Sequence, residues 1–263
     1  MTHYLHPAAQ KGFSSAAELY QQARPDYPQD IVSWLKNELN LDQDSIVVDL
    51  GSGTGKFLPY LKQITPHIIA VEPVSEMLEQ LKIVHPDVQT IQANSDKIPL
   101  KNESVDVVVC AQSFHWFANA ESLREIHRIL KPQGHLGLIW NQRDEQVDWV
   151  KAIADLLAQY EGDTPRFHSD LWKNAFNSTE MQQCFDAPTL STFNQLHTGL
   201  VEQVVSQRLL STSFIAAMPS ASQVQMKQQF DKLVYDYTGK QAQDEISFPY
   251  RTYAYHYQKL VGQ

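Results

Sequence analysis

Four short, mostly apolar runs punctuate the first half of the chain, at residues 46–48 with Leu50, 68–71, 105–110 and 136–140, and Val88 to Ile91 reads as a further strand between them. They are rich in valine and isoleucine and bounded by glycine, proline or polar residues. Runs of this length and composition read as strands buried on both faces. The intervening stretches carry apolar residues at helical spacing. Phe57, Leu58, Leu61 and Ile64 mark a helix over 56–64, and Met77, Leu78, Leu81 and Val84 mark one over 75–84. Leu123, Ile126, Ile129 and Leu130 mark a third over 119–130, stopped by the turn Lys131-Pro132-Gln133-Gly134. Strands and helices alternate through about residue 141, which predicts a parallel sheet joined by right-handed crossovers. Two helices are predicted ahead of the sheet. One ends at Arg24, with Ser15 and Glu18 forming a capping box. The other spans 29–39, and the prolines at 25 and 28 separate the two.

The second half is less regular. Residues 149–160 read as a helix, whereas 163–188 are polar, rich in aromatics and match neither period. Residues 190–196 alternate as an edge strand does. Residues 200–217 and 222–238 read as helices, and 246–257 as a tyrosine-rich strand that pairs with 190–196. No repeat or low-complexity linker interrupts the chain, so one domain over 1–263 is expected.

Charge narrows the function. A net charge of −9 argues against a general nucleic-acid binder, which needs a basic surface. Two cysteines, Cys110 and Cys184, suggest no disulfide framework and fit a reducing compartment. No stretch has the length of a membrane span or the pattern of a signal peptide, so a cytoplasmic protein is expected. The histidines show no metal-ligand spacing, and no metal is expected.

The chemistry concentrates at Val47-Val48-Asp49-Leu50-Gly51-Ser52-Gly53-Thr54-Gly55. A strand, a glycine turn and a helix form the nucleotide-binding entry of a doubly wound α/β fold. Glycines let the loop turn tightly and let a ligand approach its backbone. Amides at the start of the following helix are expected to point at that ligand. Glu72 stands at the end of the second strand, about 20 residues on, where a carboxylate meets ribose hydroxyls in such folds. As an edge position it is expected to be dispensable to the fold. Lys56 occupies the place of the third glycine in the dinucleotide pattern, which weighs against NAD. The polar and aromatic stretch Gln112-Ser113-Phe114-His115-Trp116-Phe117 follows the most apolar strand and falls at its carboxyl edge. Its aromatics read as core or lid packing, and His115 as a lining residue or a general base.

The Asp-x-Gly-x-Gly-x-Gly run, Glu72 and the turn Asn94-Ser95-Asp96 resemble class I S-adenosylmethionine (SAM)-dependent methyltransferases. Further pieces resemble the small-molecule group related to trans-aconitate and ubiquinone-pathway methyltransferases. These are Tyr20-x3-Arg24-Pro25-x-Tyr27-Pro28, Phe114-His115-Trp116-Phe117, Glu125-Ile126-x-Arg128-Ile129-Leu130-Lys131-Pro132 and Trp140-Asn141. The resemblance implies a Rossmann-like, mostly parallel seven-stranded sheet with an antiparallel carboxyl-terminal edge strand and an amino-terminal helical lid. It implies a SAM-binding core over 13–143 and an acceptor-pocket elaboration over 144–263. It also assigns roles. SAM's methionine end would lie on Gly51, Ser52, Gly53, Thr54 and Gly55, with Asp49 ordering the loop or facing the amino group. Glu72 would hold the ribose, and Pro73 and Met77 would pack near the adenine. Asn94, Ser95 and Asp96 would read the adenine's amino edge, Gln112 would lie near the methionine, and Tyr20 and Arg24 would close over the site. The acceptor would be a small molecule, methylated on a carboxylate or hydroxyl oxygen. The alternatives are a NAD-dependent oxidoreductase and a SAM-binding protein without turnover.

Overall fold

The computed structural model describes residues 24–162 and 164–261. The expected first helix, with Tyr20, lies outside the described residues.

Seven strands form one sheet in the order β3-β2-β1-β4-β5-β7-β6. They are β1 (Val47–Leu50), β2 (Ile68–Val71), β3 (Gln89–Ile91), β4 (Val105–Ala111), β5 (Leu130–Arg143), β6 (Thr189–Leu200) and β7 (Glu245–Gln258). The first five pair in parallel, and β7 with β6 makes the expected antiparallel edge. From β1 the chain winds outward through β2 and β3, then returns to place β4 on the other side of β1. That reversal opens a crevice at the carboxyl ends of β1 and β4, the ligand position of open α/β sheets.

By contacts the chain divides into two compact units. The first comprises Tyr27–Trp140, Pro165–Phe193 and Tyr253–Gln263, and the second Met1–Asp26, Asn141–Thr164 and Asn194–Thr252. In the first unit, helices α1 (Asp30–Asn37), α2 (Leu58–Leu61), α3 (Ser75–Val84) and α4 (Ala120–Ile129) connect the strands. Strand residues alternate between its two cores. Val48, Leu50, Val108 and Cys110 face one that includes Leu123, Ile126 and Trp172. Val47, Val107 and Val109 face the other, with Ile31, Leu35 and Leu58. The stretch that matched neither period supplies a 3₁₀ turn, Leu171–Phe176, and α6 (Thr179–Cys184).

The second unit has its own core. Helix α5 (Asp148–Ala158) and helix α9 (Ser220–Thr238) bury Trp149, Ile153, Phe230 and Val234 against Phe248 and Tyr250.

Two predicted helices are shorter than their hydrophobic pattern. The one after the glycine loop is the single turn α2, because Gly55 adopts φ +87° and Pro59 occupies the first turn. The continuous helix over 200–217 is replaced by a π turn at Glu202–Gln207, then α7 (Arg208–Leu210) and α8 (Ser213–Ala216). The Ser211 hydroxyl donates to the carbonyl of Arg208, competing with the helical ladder, and Thr212 turns extended. The turn at 131–134 appears as an excursion within β5. Pairing jumps from Val105–Leu130 to Val107–His135, with Gln133 at φ +60°.

The Glu-x-x-Arg motif of α4 is structural. Arg128 donates to both oxygens of Glu125 at 2.7 Å and to the carbonyls of Leu100 and Ile98. Glu125 in turn accepts the Ile98 amide at 2.6 Å. The loop between β3 and β4 is thereby clamped to α4. Glu125→Ala leaves the Ile98 amide unpartnered and the guanidinium without its carboxylate, and is expected to cost about 2–3 kcal/mol in urea unfolding. Glu125→Gln, which still accepts the amide, is expected to cost about half as much.

Candidate active site

The glycine loop is fixed mainly by its own backbone. Gly51 and Ser52 donate to the carbonyl of Val71, Gly53 donates to Glu72 Oε2, and Gly55 donates to the carbonyl of Ser52. A side chain cannot be placed at Gly51, which has φ +71°, since a Cβ there would lie 2.6 Å from the Cβ of Ser113. These bonds correct one expectation. With four loop amides engaged and only one helical turn following, the loop is not a helix N-terminus offered to a phosphate.

Its electrostatics point the same way. Asp49, at 1% exposure, and Glu72, at 5%, are both buried at the strand ends. Burial pushes Asp49 up to about 8, with the negative charge of Glu72 adding to the effect. Burial also raises Glu72, against the bonds it accepts from the Val74 and Gly53 amides. The two carboxyls divide the work differently from the simplest reading. Glu72 orders the loop, taking Gly53 N–H at 2.9 Å on Oε2 and Val74 N–H at 3.0 Å on Oε1. It is therefore a buried support of the fold, not a dispensable edge group. Both oxygens of Asp49 are buried without a hydrogen-bond partner, as are Ser52 Oγ and Thr54 Oγ1. Native interiors seldom leave such groups unsatisfied unless a ligand or an ordered water completes them.

The end of β4 closes the crevice. Ser113, which the sequence reading passed over, donates to the carbonyl of Leu50 at 2.6 Å and packs on Gly51. Gln112 beside it holds φ +60° and donates its amide to the carbonyl of Ile139. A 3₁₀ turn, Phe114–Trp116, then presents His115. The Trp140 indole N–H donates to His115 Nδ1 at 3.0 Å. An indole nitrogen is a donor only, so Nδ1 is the acceptor and the proton of the neutral ring sits on Nε2. Around Trp140 stand Phe167 at 4.8 Å and Trp172 at 4.7 Å between ring centroids, with Tyr255 beside them. Trp172 Nε1 is buried without a partner. The aromatic wall was legible only in part, because Phe167 and Trp172 come from the stretch that gave no periodic signal.

The remaining predicted residues are less concentrated. Met77 is buried on α3, its sulfur 3.8 Å from where a Gly53 Cβ would stand, and Pro73 is half-buried at the start of the same connection. Asn94 and Asp96 are exposed, while the Ser95 hydroxyl meets that of Ser122 at 2.8 Å. Arg24 belongs to the second unit, where its guanidinium donates to the carbonyl of Ser211 at 3.0 Å.

Residues 48–138 match the sequence model of a methyltransferase domain. An uncharacterized methyltransferase-like protein of Schizosaccharomyces pombe is 37% identical over 254 residues, covering 95% of this chain and 96% of that protein. The chain belongs to the methyltransferase family. A probable SAM-dependent methyltransferase of Saccharomyces cerevisiae is 27% identical over 150 residues, covering 54% of this chain and 50% of that protein. Among solved structures, a proposed type II methyltransferase from Anaeromyxobacter dehalogenans shares the fold, with a TM-score of 0.63 at 19% identity, over 90% of this chain and 97% of that one. A [4+2]-cyclase shares it too, at TM-score 0.54 and 12% identity over 97% and 96% of the chains, so the fold by itself does not specify the reaction. Methyltransferases of this family typically use SAM, and the loop suits such a group. Buried carboxyls repel a pyrophosphate but favour a cofactor bearing an ammonium and a sulfonium.

Two predictions follow from the buried groups. Between the ordinary value of 3.8 and about 8, folded Asp49 holds a proton that the unfolded chain has released. The unfolded state then binds fewer protons, so stability falls as pH rises through that window. Asp49→Asn is expected to flatten that slope and to raise the melting midpoint of the ligand-free protein at pH 8 by about 3–10 °C. Calorimetric melts at pH 5 and pH 8 would show it. Nitrogen NMR of the His115 ring should report a protonated Nε2 and a bare Nδ1. Trp140→Phe should mix the two tautomers, because the donor that selects between them is gone.

Proposed function

We propose that this methyltransferase uses SAM to methylate an oxygen of a small molecule, with a carboxylate as the favoured acceptor. The observation that carries the cofactor is the set of buried unpaired groups on one loop, Asp49, Ser52 Oγ and Thr54 Oγ1, beside a second carboxyl. Bound there, the cofactor would supply a methyl group already activated by its sulfonium. The chain would hold it with its own residues. Asp49 and the hydroxyls of Ser52 and Thr54 would meet the methionine end, near Gln112. Glu72 keeps free lone pairs for ribose hydroxyls while it orders Gly53. Pro73 and Met77 would flank the adenine, with Asn94, Ser95 and Asp96 at its edge. Tyr20 and Arg24 remain proposed as the covering pair from the amino-terminal segment.

The role of His115 changes under this reading. With its proton on Nε2 it has no lone pair there to accept one. It is suited to donate a hydrogen bond to an acceptor oxygen and fix its approach. An acidic oxygen needs no base, and for this reason a carboxylate is preferred over a hydroxyl. The segment 144–263 is proposed to shape the acceptor pocket, within a single-domain protein of the cytoplasm acting on neither nucleic acid nor membranes.

Calorimetric titration with SAM, S-adenosylhomocysteine and NAD tests the cofactor. The adenosyl compounds should bind and NAD should not; tighter NAD binding would sink the proposal. A cationic ligand at Asp49 favours the carboxylate, so binding should release a proton. SAM affinity is then expected to rise with pH up to about 8, by at most tenfold per unit. The released proton would appear as a buffer-dependent binding enthalpy. A panel of acceptors with methyl-labelled SAM tests the second half. Transfer to carboxylates should keep its rate as pH falls from 8 to 6, once corrected for SAM occupancy. His115→Asn, which retains a side-chain donor, is expected to keep more of that rate than His115→Ala.

A further inference from the structure

The glycine loop is braced at both ends by side chains from outside it. Ser113 stands against Gly51, and His85 stands against Gly55, where a Cβ would lie 2.7 Å from the ring Cδ2. Leu58 and Leu81 close the rest of that face, at 2.9 and 3.1 Å from the same point. Among the described residues, the corresponding point at Gly53 has no neighbour nearer than Met77 Sδ at 3.8 Å. The loop is thus held at its ends and open in the middle. The brace at Gly55 leads to the groups proposed to meet the cofactor. The Gly55 amide donates to the carbonyl of Ser52 at 2.9 Å, so the place of Gly55 helps to set that of Ser52. Thr54 directly precedes Gly55 in the chain. Ser52 Oγ and Thr54 Oγ1 are the two buried hydroxyl oxygens of the loop without a hydrogen-bond partner.

His85 is itself held in place. It caps the carboxyl end of α3, its amide donating to the carbonyl of Leu81 at 2.7 Å. Lys62 Nζ lies 3.4 Å from His85 Nδ1 and 2.6 Å from Asp87 Oδ1. An ammonium is a donor only, so Nδ1 accepts and the neutral ring carries its proton on Nε2. Burial holds the half-buried ring below its ordinary value, and the Lys62 charge acts in the same direction. The Gly55 carbonyl and the Asp87 carboxylate act against both. A second proton would sit on Nδ1, facing the ammonium that now donates to it.

We propose that His85 is a positioning residue for cofactor binding, a neutral ring that is tied to Lys62 and holds Gly55, and through it Ser52 and Thr54, in place. The proposal rests on the SAM reading of the loop and assigns His85 no contact with the cofactor. Protonation sets two cations against each other, displaces the ring from Gly55 and loosens the loop.

The test is binding of S-adenosylhomocysteine to the full-length chain by calorimetry, together with an NMR titration of the His85 ring. His85→Ala is expected to weaken binding about three- to thirtyfold at neutral pH, the range for residues that act on a ligand through their neighbours. His85→Phe keeps a ring against Gly55 and cannot be protonated, so it should recover most of that loss. In the wild-type protein the ring should titrate below its ordinary value of 6.5. Saturating ligand should move that titration lower still, because the bound loop favours the neutral ring. A ring that only fills space has no reason to sense the ligand in this way. If the wild-type protein does not bind S-adenosylhomocysteine at all, the SAM reading falls and this inference falls with it. If it binds, the inference alone is overturned by any of three results. These are His85→Ala binding as tightly as the wild type, His85→Phe binding no better than His85→Ala, and a ring titration that is the same with and without ligand. The last needs no variant, and it decides the matter should His85→Ala fail to fold.

Discussion

The site depends on one constraint: two carboxyls are buried together at the ends of adjacent parallel strands. Asp49 pairs with Ala70 and Leu50 with Val71, so Glu72 follows β2 two residues beyond the partner of Asp49. Both are desolvated, and the charge of Glu72 makes Asp49 harder still to ionise. The fold meets that cost unequally. Glu72 receives two backbone amides and becomes the support of the glycine loop, whereas Asp49 receives none. Loop geometry follows from this division. Gly53 is pulled to Glu72, Gly51 and Ser52 are tied to Val71, and Ser113 seals the other side from β4. What remains in the crevice is an unsatisfied acid with two hydroxyls, a site of cationic preference within a fold better known for holding phosphates.

Much of this was legible in the sequence, because the first half of the chain obeys simple rules. Short valine- and isoleucine-rich runs such as 68–71 and 105–110 become the inner strands β2 and β4, and their alternation with helical spacing points to the parallel topology. The glycine run and the acid one strand later located the crevice. The division of labour between Asp49 and Glu72 was not legible. It depends on which carboxyl the Gly53 amide reaches, and it reaches Glu72 at 2.9 Å. Ser113 was missed for a related reason: a serine after a strand has no pattern of its own, and only the contact with Gly51 gives it meaning.

The second half was harder because its elements interrupt their own periodicity. Apolar residues over 200–217 keep helical spacing, yet the chain passes through a π turn and breaks at Ser211. A hydroxyl that bonds back to a carbonyl three residues earlier is invisible to a hydrophobic pattern. The aromatic residues Phe167 and Trp172 sit in turns and acquire a role only by stacking on Trp140. Family membership does not fill this gap, since relatives that share the cofactor loop need not share what lies beyond it.

His115 shows how a neighbour can decide chemistry that residue type leaves open. A histidine at the carboxyl edge of a central strand invites the role of general base, and its sequence context does nothing to discourage it. The indole of Trp140 occupies Nδ1 with a group that can only donate. The ring is then a donor at Nε2, and taking up a second proton would break the bond that holds it in place. Because Trp140 is also the centre of the aromatic wall, the same residue orients the ring and packs the surface beside it. Under the proposed reading the electrophile is already activated, and the ring's task is to hold an acceptor oxygen still.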